Sequence, residues 1–85
     1  MPNPFNPSTS IKFDVAQQGY QDLSTHDVGG RLVKTLVAWD VQPGLHVAHW
    51  NGLDNSGNPM SNGVYVARLS TGEGTAGLLK LMLIK

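Results

Sequence analysis

The 85-residue chain has no cysteine, so no disulfide staples it and its stability must come from apolar packing and hydrogen-bonded backbone. A chain of this length supports one domain and leaves much of its surface exposed even when folded, which makes for a thin core. The missing cysteines do not assign a compartment, because exported proteins can also lack disulfides. Charge is equally scarce. Six Lys and Arg balance six Asp and Glu, giving a net charge of zero, and no cluster is dense enough for the cationic stripe that a nucleic-acid partner needs. No apolar run approaches the roughly 20 residues of a membrane-spanning helix. The start, Met1-Pro2-Asn3, lacks a basic segment followed by an apolar one, so no signal peptide is expected here and any export signal would lie upstream in a longer parent. Helical periodicity is nearly absent too. The best candidate, Gly30 to Val41, sets Leu32, Lys34 and Leu36 against Val33, Thr35 and Val37, an alternation with β-branched content that favours a strand.

What the chain does have is punctuation. Ten glycines and five prolines recur at intervals of about ten residues, the spacing of turns in a small sandwich or barrel. Between them the reading gives six or seven strands. The first covers Ser8 to Val15, with Ile11, Phe13 and Val15 on one face and Lys12 and Asp14 on the other, because strand side chains alternate. The second is Tyr20 to Asp27 and the third Arg31 to Val37, followed by a longer connection, Ala38 to Gly44, that contains Trp39. The fourth is Leu45 to Trp50, and the turn-rich segment Asn51 to Pro59 leads to a fifth within Met60 to Ser70, centred on Val64 to Leu69. A glycine-rich hairpin loop, Thr71 to Thr75, precedes the last strand, Ala76 to Lys85. The fold class is therefore all-β, a single antiparallel β-sandwich over residues 1–85 with residues 1–7 as a lead-in. Its core is expected to hold Phe13, Leu23, Val33, Trp50, Tyr65, Leu69, Leu81 and Leu83, with Trp50 the largest apolar contributor.

Five constellations could carry chemistry. Asn51 to Asn58 collects oxygen-bearing side chains, with Asp54 and Asn55 as candidate calcium ligands; but Asp54 is its one carboxylate and no bidentate Glu follows, so turn chemistry is the preferred reading. His26, His46 and His49 invite a zinc reading, yet His46 and His49 lie three apart on a strand and point to opposite faces. A triad can be drawn from Ser24 or Ser61, a histidine, and Asp27 or Asp54, without a nucleophile elbow to support it. Gly72 to Gly77 fits Gly-x-Gly-x-x-Gly as letters but opens no helix. Trp39, Tyr20 and Trp50 could form a sugar-binding platform, with Trp39 the exposed ring and Trp50 the core one. No catalytic residue, metal or cofactor is assigned.

Several blocks then occur in a set order: Asn3-Pro4-Phe5-Asn6-Pro7-Ser8-Thr9, Asp27-Val28-Gly29-Gly30-Arg31, Pro43-Gly44, Trp50 to Asp54 with Gly57, Gly63 with Tyr65, and the lysine-ended last strand. In this order the chain resembles the type A C-terminal sorting domains of the type IX secretion system and the related Ig-like domain of the flagellar hook-capping (FlgD-like) protein. The resemblance implies an Ig-like antiparallel β-sandwich at the end of a large exported bacterial protein. It implies a non-enzymatic role: sorting or anchoring a larger protein at the bacterial cell surface, with the outer-membrane secretion machinery or neighbouring domains of the parent as partners and the module monomeric in isolation. The matching positions are Asn3, Pro4, Asp27, Gly30, Arg31, Gly63, Tyr65 and Lys85. An Ig-like assembly domain of the FlgD kind and a carbohydrate-binding accessory domain stand as alternatives. Where the family usually carries apolar residues, the chain has Gln21, Thr25, His26 and Gly29, which weakens the packing of the second strand and leaves three readings: a divergent member, an edge strand with a wetter inner face, or an engineered sequence.

Overall fold

A computed structural model describes residues 9–84. Every regular element among them is a strand: β1 (Thr9–Val15), β2 (Gly19–Asp27), β3 (Leu32–Val41), β4 (Gly44–Trp50), β5 (Gly63–Thr71) and β6 (Gly74–Leu83). They form two antiparallel sheets, β1-β4 and β3-β2-β5-β6, the two-layer arrangement of an Ig-like sandwich. The alternation in the sequence decides which face is buried. Ile11, Phe13 and Val15 turn inward from β1, while Ser10, Lys12 and Asp14 stay exposed.

Between the layers lie Ile11, Phe13, Val15, Leu23, Val33, Val37, Val41, Trp50, Tyr65, Ala67, Leu81 and Leu83. Trp50 is fully buried, its ring meeting Tyr65 edge to face at 5.0 Å and 71°, an arrangement that the aromatic quadrupole favours. The indole Nε1–H donates to the Leu53 carbonyl at 2.9 Å, and the Tyr65 hydroxyl donates to the Ser61 carbonyl at 2.6 Å. Both polar tips are thus satisfied while the rings are buried. Leu69 is only partly buried. It pairs across the sheet with Gly77, which has no side chain to cover it.

Two segments differ from the sequence reading. β3 runs on to Val41, so Trp39 is a strand residue rather than part of a connection. It pairs with Gln21 of β2, and backbone pairing carries the strand through the polar letters that suggested a loop. The second strand is not an edge: β2 lies between β3 and β5, with Gln21, Leu23, Ser24 and Thr25 all buried. The register with β3 shifts at Leu23/Ser24 and again at Thr25/His26. These bulges fall on β3 and let Leu36 and Val33 depart from strict alternation. The polar side chains of β2 are buried because ladder partners flank them on both sides.

Candidate functional site

Two loops carry most of the polar motif residues, and backbone satisfaction explains both. In the first, the Asp27 carboxylate oxygen Oδ1 accepts from the amides of Gly29 and Arg31 at 3.0 and 2.9 Å, while Gly30 N donates to the Asp27 carbonyl at 3.0 Å. Gly30 sits at φ +87°, a conformation that costs other L-residues dearly. In the second, Asp54 Oδ1 accepts from the amides of Ser56 and Asn58 at 2.9 and 2.8 Å, and Gly57 holds φ +88°. The backbone amide of Asn58 is the main cause of the lowered pKa of Asp54, opposed by some desolvation and helped by the Asn58 side chain and the Ser56 and Gly57 amides.

Asn55 ties this second loop to the body. Its amide donates to the Val33 carbonyl at 3.0 Å, and its Oδ1 accepts from Thr35 N at 3.1 Å. Of the oxygens proposed as calcium ligands, Asp54 Oδ1 is therefore engaged by amides of its own turn, the turn-closing use of this residue type, Asp54 Oδ2 faces the Asn58 side-chain amide at 3.5 Å, and Asn55 Oδ1 is taken by Thr35 N. Among the described residues no group of three or more His, Cys, Asp and Glu side chains is placed to hold a metal.

The histidines are dispersed. His46 turns inward and stacks on Phe13 at 5.5 Å, with Nε2 at 2.7 Å from the Gln42 carbonyl, whereas exposed His49 meets Ser10 Oγ at 3.2 Å. His26 does approach a serine: its Nε2 lies 2.9 Å from Ser24 Oγ. Its Nδ1 is buried with no hydrogen-bond partner, so the carboxylate that would orient a catalytic imidazole is missing from the position a triad requires. The pair sits on the outer face of the four-stranded sheet, where strand amides are committed to the ladder rather than free to stabilise an oxyanion.

The three aromatic candidates for a sugar platform are separated. Trp50 is in the core. Trp39 pairs with Gln21 and shares its side of the sheet, so Tyr20, one residue on, points to the opposite side. Of the residues named from the resemblance, Asp27, Gly30 and Arg31 share one turn, Gly63 opens β5, and Tyr65 is a core residue at 5% exposure, unavailable for surface contact. Asn3, Pro4 and Lys85 lie outside the described residues. The sequence reading missed the outer face of β5 and β6. There exposed Arg68 and Lys80 stand among exposed Leu78 and Met82; the signal was the letter pattern Leu78-Leu79-Lys80-Leu81-Met82, read only as a strand.

With this geometry in place, the comparisons are consistent. The FlgD Ig-like domain family matches residues 5–75, and the chain belongs to that family. Among solved structures, FlgD from P. aeruginosa is similar with a TM-score of 0.72 and 23% identity, over 89% of this chain and 61% of the FlgD chain. At that identity the likeness is one of fold. No curated protein matches the chain. Of the two groups that the sequence resembles, the FlgD-like one is the family matched.

Proposed function

We propose that this chain is a non-catalytic structural module of a larger bacterial protein, acting by packing against neighbouring domains or subunits of an assembly. The supporting observation is where its polar chemistry goes. Asp27, Asn51 and Asp54 accept from backbone amides two to four residues on and Asn55 from Thr35 N of β3, which leaves the turn motifs as framework and the exposed sheet surfaces as the means of interaction. The family match points the same way. The test is removal of residues 9–84 from the parent protein: export of the parent should continue while its incorporation into the assembly is lost. Normal assembly without the module would refute the reading.

Routing through type IX secretion to the cell surface, with the outer-membrane machinery as partner, is the second reading, supported by the ordered blocks that carry the resemblance. Truncation from Leu81 would be a poor probe of it, because Leu81 and Leu83 are buried and their loss would unfold the module. Replacing exposed Ile84 with Glu keeps the core intact; on the sorting reading a fused reporter should then remain in the periplasm, and undiminished surface delivery would count against it.

A further inference from the structure

We propose that β6 is a strand-addition site for an extended segment of a protein partner that alternates acidic and aliphatic side chains. The inference rests on the assembly reading above and supplies the chemistry of its partner. Among the described residues β6 is an edge: in the order β3-β2-β5-β6 it pairs with β5 alone. A strand edge offers a row of N–H and C=O groups that a further strand can take up. The register shift between Leu69 and Ser70 absorbs an extra residue near Ala76 and leaves Gly77–Leu83 as a regular stretch. The opposite edge, β3, is interrupted by two bulges, a common device against pairing.

The side chains around this edge specify the partner. On the outer face the cross-strand pairs are Arg68 with Leu78, Val66 with Lys80 and Val64 with Met82. Leu78 and Met82 are 67% and 55% exposed, and Leu79, on the other side of the strand, is 47% exposed. Neither β5 nor β6 contains Asp or Glu, and among the described residues no carboxylate lies within ion-pair distance of Arg68 or Lys80. Asp22 of β2 lines the same outer-face cavity as Arg68, so the cation that stands amid aliphatic surface with no carboxylate beside it among the described residues is Lys80. An added strand would run its outer-face side chains past Leu78, Lys80 and Met82 in turn, where a carboxylate fits opposite Lys80, and its inner-face ones past Leu79, where an aliphatic fits.

Charge also rejects the competing occupants. A second copy pairing through β6 would bring Lys80 to the seam from both sides with no acid of β6 to meet it, so Lys80 works against self-association while remaining compatible with an acidic strand. An anionic lipid surface could meet the cations but not the open backbone edge, because hydrocarbon supplies no hydrogen-bond partner.

The test uses the 85-residue chain, isotopically labelled, titrated with a synthetic peptide of alternating Glu and Val and with its Lys/Val counterpart. The acidic peptide should shift backbone amides centred on Gly77–Leu83 and slow their exchange with solvent. Lys80→Glu, at an exposed position, should weaken the acidic peptide by about tenfold and favour the basic one; Lys80→Gln should weaken it in the same direction by less. Equal binding of both peptides, binding of neither, or shifts mapping to other strands would overturn the proposal. So would concentration-dependent dimerisation through β6, or Lys80-dependent binding to phosphatidylserine vesicles in place of the peptide. Failure here with the deletion phenotype intact would remove the strand-addition site and leave the assembly reading standing.

Discussion

Trp50 carries more of this small core than any other residue. Its indole is fully buried, stacked edge-on to Tyr65 and hydrogen-bonded to the Leu53 carbonyl. Trp50→Ala should cost about 3–5 kcal/mol, a large part of the roughly 5–15 kcal/mol that a domain typically has, so its urea midpoint should collapse. Tyr65→Phe keeps the ring and loses only the bond to the Ser61 carbonyl, for which a loss of about 0.5–1.5 kcal/mol is expected by the same measurement. Asp54 makes a pH-dependent contribution. Its folded pKa is lowered, chiefly by the Asn58 amide, so the stabilisation is complete above the unfolded carboxyl value near pH 4 and fades as pH falls through the lower folded value. Stability curves of the native chain and of Asp54→Asn should therefore converge on acidification in that range; parallel curves would show that the carboxylate is not linked to folding.

The elements were legible in the letters to different degrees. β1 reads directly, since Ile11, Phe13 and Val15 alternate with Lys12 and Asp14 and one side of that strand faces the core. β2 and β3 do not, because two bulges shift their register and burial of Gln21 and Thr25 depends on strands distant in sequence. The end of β3 was hidden for a related reason: Trp39 and Asp40 look like loop residues but are held by pairing with Gln21 and Tyr20. The turns were the clearest part, because Asp27 with Gly30 and Asp54 with Gly57 place an amide-accepting carboxylate before a left-handed glycine. Gly30→Ala should destabilise by about 1–2 kcal/mol in thermal or urea unfolding. Gly19→Ala, with open space around the added methyl group, should stay within about 0.5 kcal/mol of the native chain.

At the scale of the whole molecule, the two layers spend their inward side chains on one another and leave function to the outside. The candidate site shows how far sequence alone carries such a reading. Asp27, Gly30 and Arg31, marked by the resemblance, are tied into one hydrogen-bonded turn, and Tyr65, another of the matching positions, is buried. The cationic and aliphatic face of β5 and β6 became visible only when the register placed Arg68 beside Leu78 and Val66 beside Lys80. All of this depends on the sheets closing over a single indole while the other remains in water, with Trp39 at 58% exposure. Hydrogen exchange of the two indole N–H groups measures that directly. The Trp50 proton should exchange slower than that of Trp39 by orders of magnitude, at a rate set by global unfolding; rapid exchange of both would mean that the layers do not close and that the account is wrong.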